Sequence, residues 1–296
     1  MYEEKIAPTI LKQFHTLTHR HFVLNLSLLI LLLIETIAFF SLAPFFFKTG
    51  FFSLVLALWL ITFFGYFILK NYLLAERLGK FRALAEKFKR GVLTMQPEIQ
   101  PILQKKRAAK ELIAFADSLS LNSDVIESKL DKIKLFLFPL ICGQPKGSFR
   151  KALYDFAKEE LAGVIRLDPL SEEAHLELAR IKESLGVLSK EMGDQKAFLK
   201  GVKEASEEFK VLLELSPHKS ELYLDLARCY QLLGDSVSEK TILEAGRQAH
   251  PHHAEILLRL GKIYFQENEA AKGFKVYEAL KAFDPSKSDQ LIAFYQ

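Results

Sequence analysis

Two nearly unbroken apolar runs, Phe22 to Phe47 and Phe51 to Leu69, dominate the first quarter of the chain, separated only by Lys48-Thr49-Gly50. Each holds about 20 residues or more, which as a helix cross roughly 30 Å of hydrocarbon. So short a connection predicts an antiparallel hairpin whose two ends emerge on one side. Beyond it, Leu73, Leu74, Leu78, Phe81, Leu84, Ala85 and Phe88 recur at helical spacing among charges, which predicts an amphipathic helix continuing from the second run. From about residue 122 onward the apolar positions form short helical stretches punctuated by proline.

That punctuation is periodic. Pro217, Pro251 and Pro285 stand 34 residues apart. Counting one unit from Ser220 puts Tyr223, Leu226, Ala227, Tyr230 and Gly234 at positions 4, 7, 8, 11 and 15; counting the next from Ala254 puts Leu257, Leu260, Gly261, Tyr264 and Asn268 there. Small residues at position 8 allow two helices to approach closely, and a proline at position 32 ends each second helix. A unit beginning at Glu172 carries His175, Leu178, Ala179, Lys182 and Gly186 in the same register. It spans 48 residues between Pro169 and Pro217, so 14 are extra, and they are expected at the helix-helix turn, roughly Val187 to Lys200. Upstream, Ala157, Leu161 and Val164 fit a second helix whose first helix would be about Asp124 to Leu140.

Over about residues 148 to 296 the chain resembles the tetratricopeptide-repeat superfamily. The resemblance implies a helical solenoid that binds peptides or helices in a concave groove. Glu239 and Gly246 stand where the family usually has alanine, and looser packing is expected there. The fold expected is therefore all-α. A short basic segment (1–21) precedes a transmembrane hairpin (22–70), juxtamembrane helices (71–121) and a solenoid (122–296). The solenoid units fall at about 122–171, 172–219, 220–253 and 254–287, with a cap at 288–296.

Charge orients this plan. Lys5, Lys12 and Arg20 precede the hairpin, and Lys70, Arg77, Lys80, Arg82, Lys87, Lys89 and Arg90 follow it, against Lys48 alone in its turn. Basic residues collect on the cytoplasmic side, so both termini are expected there. The net charge is +4, and the stretch from 70 to 90 alone supplies seven basic and two acidic residues, so the basic character sits beside the hairpin and suits anionic lipid head groups. Two cysteines, Cys142 and Cys229, are too few for a disulfide framework and suit a reducing compartment.

Candidate chemistry is sparse. Glu35 lies near the middle of the first apolar run, where a charge is costly, and is expected as a neutral acid hydrogen-bonded to Thr62 or to a second hairpin. No phosphate-cradling glycine loop, zinc-protease motif, Cys-x-x-Cys or nucleophile elbow occurs, and no recognisable nucleic-acid module. No cofactor or metal is expected. His250, His252 and His253 fall on an inter-repeat turn at spacings that match no closed metal site. In the groove, position 9 supplies Arg180, Arg228 and Lys262, a cation ladder suited to an acidic peptide, and position 6 supplies Glu177 and Asp225, able to neutralise the arginines at i, i+3 spacing. Position 5 is Leu176, Leu224 and Leu258, which departs from the chaperone-binding carboxylate clamp of the superfamily. The two-lobed hairpin also resembles, more weakly, the inclusion-membrane proteins of chlamydiae. The reading that results is a membrane-anchored, non-catalytic adaptor; an effector facing a host cytosol, or an assembly factor for membrane complexes, are the alternatives.

Overall fold

The computed structural model describes residues 3–49, 51–94, 100–121 and 144–295. Among them there are only helices. They divide into two compact units, residues 1–157 and 158–296.

In the first unit, α1 (Glu3–Thr49) and α2 (Phe52–Thr94) are continuous helices of 47 and 43 residues that pack as an antiparallel pair. At about 1.5 Å per residue each is more than 60 Å long, about twice a hydrocarbon thickness. Their far halves carry mostly apolar side chains outward, with Ser41, Ser53 and Thr62 among them; Ile37, Phe40, Ile61 and Ile68 are 66 to 72% exposed. Their near halves are packed instead. Ile10, Phe14, Thr18, His21 and Asn25 of α1 and Arg77, Phe81, Ala85, Phe88 and Val92 of α2 are buried, at spacings of three and four. α3 (Pro101–Leu121) and the first half of α4 (Pro145–Leu167) complete this base. Phe14 stacks on Phe149 with ring centroids 4.9 Å apart, and Phe88 on Phe115 at 4.6 Å. Residues 3–21, expected as a short basic segment, are thus the first turns of α1. Lys12 and Arg20 lie on its solvent face, and Ile10, Phe14, Thr18 and His21 form a buried seam that faces the base.

The second unit is a solenoid of paired helices. α5 (Glu172–Glu191) pairs with α6 (Gln195–Leu215), α7 (Ser220–Leu233) with α8 (Ser236–Ala249), and α9 (Ala254–Gln266) with α10 (Ala270–Phe283). α11 (Pro285–Tyr295) then packs on α9 and α10. Gly234 and Asn268, both at position 15, take the left-handed conformation at φ 74 and 61, so each first helix ends in the same turn whichever residue supplies it. Asp194 and Asp235 cap the following helices by accepting from the backbone N–H groups of Ala197 and Ser238.

The 14 extra residues are not a loop at the turn. Relative to α7 and α8, six lengthen the first helix, seven the second and one the turn, and Gly193 at φ 84 takes over the turning role. Gly186, expected at the turn, therefore lies inside α5, where it meets Gly201 of α6. A Cβ on Gly201 would stand 2.8 Å from the Gly186 Cα. About two helical turns added to each helix keep the apolar faces in phase, so Leu188 and Phe198 are buried in the extension. Gly246 does not loosen its repeat either: a Cβ there would come within 3.1 Å of the Tyr223 ring, which fills that space. The degenerate opening helix expected at about 124 to 140, and Cys142, lie outside the described residues.

Candidate partner-binding groove

The first helices α5, α7 and α9 carry the residues expected to line a groove, and position 4 shows how two of the repeats are tied. Tyr223 donates from its hydroxyl to the Pro217 carbonyl at 3.1 Å, and His175 Nε2 faces the Pro169 carbonyl at 3.0 Å, the same contact six residues back in these two repeats. His175 Nδ1 also lies 2.9 Å from Glu208, which accepts from Lys182 at 2.6 Å. All three side chains are less than a fifth exposed. Burial opposes the Glu208 charge, but the hydrogen bonds from Lys182 and His175 more than offset it and hold this carboxyl below its ordinary value.

The cation ladder is largely committed within the protein. Arg228 donates to Glu183 of the preceding unit at 2.7 Å and lies 3.3 Å from Asp225. Glu183 is only 8% exposed. Burial works against the charge of Arg228, yet Glu183 and Asp225 raise its guanidinium above the ordinary value. Asp225 is itself pushed up by burial, against the pull of Arg228 and Arg180. Arg180 stands 3.8 Å from Glu177, a loose exposed contact, and the Lys262 ammonium lies 5.6 Å over the ring of Phe294 in α11. The i, i+3 pairings foreseen in the sequence are present. Arg259 and Glu183 were not foreseen: Arg259 donates to the Leu224 carbonyl at 3.1 Å and to Gln231 at 2.9 Å, and it faces the buried Glu239 at 3.9 Å. The signal was available, since Glu183 and Gln231 occupy the same repeat position. The first helices therefore present interlocked charges beside the half-buried leucines Leu176 and Leu224.

Two lysines on the second helices differ from one another. Lys210 makes one exposed contact to Glu207, but Lys240 is 19% exposed, bonds Glu267 and Glu269 at 2.6 and 2.7 Å and lies over the Tyr264 ring. These contacts raise its ammonium well above the ordinary range. Lys240 is a clasp between repeats.

The first unit redistributes the other candidates. Trp59 Nε1 donates to Thr36 Oγ1 at 3.2 Å, and Thr36 donates in turn to the Leu32 carbonyl. Among the described residues that pair, not Glu35 with Thr62, is the polar link across the hairpin; the Thr62 hydroxyl donates to the Trp59 carbonyl of its own helix. Of the basic stretch, Arg77 is 2% exposed and lies over the Phe81 ring, Lys80 and Arg90 pair with Glu76 and Glu86, and Lys87 bonds Gln13. Arg82 and Lys89 lie over Phe156. Because α2 is one unbroken helix, Arg90 stands about 30 Å along its axis from Lys70, several Debye lengths away. Beside Arg77, the buried His21 is held below its ordinary value by burial and by Lys80 and Arg77.

The three turn histidines act separately. His253 caps α9, His250 packs edge-on against Tyr223, and His252 against Phe283. Among the described residues no group of three metal-ligating side chains converges.

No protein-family model matches the chain, and neither does any curated protein. Similar solved structures include a thermophilic TPR protein of Thermus thermophilus, 17% identical with a TM-score of 0.40, the match covering 76% of this chain and 95% of that one. Another is YrrB, described as a TPR protein with an unusual peptide-binding site, 14% identical with a TM-score of 0.33 over 62% of this chain and 92% of its own. A third, pilF of Pseudomonas aeruginosa, is 18% identical with a TM-score of 0.32 over 74% and 98%.

Proposed function

We propose that this chain is a membrane-anchored adaptor, with the hairpin of residues 22–70 in the bilayer, both termini cytoplasmic, and the first-helix face of the solenoid holding a segment of another protein. The observation that carries the anchoring is the bareness of the hairpin. Its most apolar windows are not buried by the protein at all, whereas the core helices of a soluble domain would be. The ten-to-one excess of basic residues beyond the hairpin over its turn supports the orientation. Lys70, at the end of the apolar stretch, is the residue best placed for anionic head groups; Arg82 and Lys89 lie over Phe156 of the packed base.

For the groove, the interlocked charges change the ligand expected from the sequence. Arg228 is not a vacant clamp, so an acidic peptide would have to compete with Glu183 and Asp225. A segment that lays apolar side chains on Leu176 and Leu224 while exchanging hydrogen bonds with Arg180 and Glu177 fits the surface better. No residue in this reading performs chemistry. Cysteine-accessibility labelling at positions 3 and 290 of the full chain tests the topology: both label from the cytoplasmic face, and labelling of either from the opposite face refutes it. A partner recovered from gently solubilised membranes should lose binding to Leu224→Asp and keep it with Lys210→Ala. Equal binding to both would move the site off the groove. Host proteins or neighbouring membrane subunits among those partners would select the effector or the assembly-factor version of this reading.

A further inference from the structure

We infer that the hairpin pairs with that of a second copy of this chain along a flanking seam of α1, with the two Glu35 side chains facing each other. The inference rests on the membrane reading above. Within its own hairpin Glu35 is left out: the inward seam of Asn25, Leu29, Leu32, Thr36 and Phe39 takes α2, and Thr36 uses the indole of Trp59. Among the described residues no hydrogen bond or ion pair engages the Glu35 carboxyl. It lies 13 residues after Phe22 and 12 before Phe47, so roughly 18 to 20 Å from either end of the run. An ionisable group at that depth is costly without a partner.

The seam that carries it is Leu24, Leu28, Leu31, Glu35, Ala38, Leu42 and Phe45, spaced alternately by four and three. Leu24, Leu31, Leu42 and Phe45 are 40 to 64% exposed. This is the heptad spacing of a left-handed helix pair, in which one polar residue at a seam position sets register and partner number. Two copies inserted in the same orientation bring their α1 helices side by side and parallel, so identical residues meet at one depth. A carboxyl group is its own complement there. One protonated carboxyl donates to the other, and the pair needs no cation, of which the two apolar runs contain none. Ala38, one turn from Glu35, leaves room for the helices to approach. Such a contact is isologous and closes at two copies.

Single cysteines placed along α1 of the full-length protein, with Cys142→Ala and Cys229→Ala, test this by oxidative crosslinking in native membranes. Leu31→Cys, Ala38→Cys and Leu42→Cys should give disulfide-linked dimers, and Ile34→Cys, Ile37→Cys and Ser41→Cys should not. Adding Glu35→Leu to Leu31→Cys should weaken dimerisation roughly five- to thirtyfold, the range of interhelical hydrogen bonds in model membrane helices, while Glu35→Gln, which can also donate and accept, retains it. Dimers without that periodicity, dimers unaffected by Glu35→Leu, or crosslinks to a protein of another size overturn the pairing. An alkaline carbonate wash separates the two readings. Protein that washes off the membrane refutes the anchor and this inference together, and protein that stays but does not crosslink in the pattern refutes the inference alone.

Discussion

Replacing Gly201 by alanine should force α5 and α6 apart. The new Cβ would stand 2.8 Å from the Gly186 Cα, 2.9 Å from its N and 3.0 Å from the Lys182 carbonyl oxygen, all backbone atoms with no rotamer to yield. Ordinary contact begins near 3.4 Å, so the helices must part by about 0.6 Å, the difference between 3.4 and 2.8. A gap of that size forfeits about a quarter or more of the dispersion energy along the seam of Phe198, Val202 and Ala205. Overpacking of this kind costs about 1–3 kcal/mol. Alanine returns about 1 kcal/mol of helix propensity, so the net loss is about 0–2 kcal/mol. For a body of about 150 residues that lowers Tm by up to about 8 °C. Gly79→Ala is the control, since no atom lies within 4 Å of its Cβ position, and it should raise stability by about 0.5–1 kcal/mol. Circular dichroism melts of the full-length variants in detergent give the sign, and amide hydrogen exchange in α5 and α6 localises it. A Gly201→Ala protein that gains as much stability as Gly79→Ala would refute the close crossing and with it the helical placement of the 14 extra residues.

Other outcomes follow from the same contacts. The carboxyl of Glu208 is depressed below its ordinary 4.5, so its contribution is fully present above that value and is lost as pH falls through the lower folded value. Acid unfolding followed by circular dichroism should therefore be less steep below pH 4.5 in Glu208→Gln than in the parent, and an unchanged profile would contradict the network. Arg228→Ala leaves the buried Glu183 without its partner and should cost about 1–3 kcal/mol in urea unfolding, with Arg228→Ala/Glu183→Gln recovering part of it; additive losses would show that the two are not coupled. Lys240→Ala should lower stability by about 1 kcal/mol, in contrast to a near-silent Lys210→Ala.

Much of the solenoid was legible because its signals are local. Proline at position 32, a small residue at position 8 and a left-handed turn at position 15 each act within one repeat, so Gly234 and Asn268 could be equated without knowing the fold. The extra residues were not legible as helix, because an insertion that keeps the apolar phase leaves no mark beyond length, and Gly186 looks the same in a turn or at a crossing. The hairpin register depends on how three turn residues are threaded, and a shift of less than one turn exchanged Thr62 for Trp59 and Thr36. The burial of Arg77 was hidden by its type, since charge suggests solvent while its spacing from Phe81 and Ala85 places it on the packed face. The seam of Ile10, Phe14, Thr18 and His21 was open to the same spacing argument, and the basic residues around it drew attention to charge instead.

The long pair of α5 and α6 also constrains how this chain could change over generations. Shortening one helix alone would leave Leu188 or Phe198 without the surface that covers it, so either deletion by itself is penalised. Only a matched loss of about seven residues from each helix restores a 34-residue repeat. The two segments are therefore bound to one fate: a lineage that sheds one must shed the other by a single event or pass through a less stable ancestor. Length variation at this repeat should accordingly come in paired steps of about two helical turns.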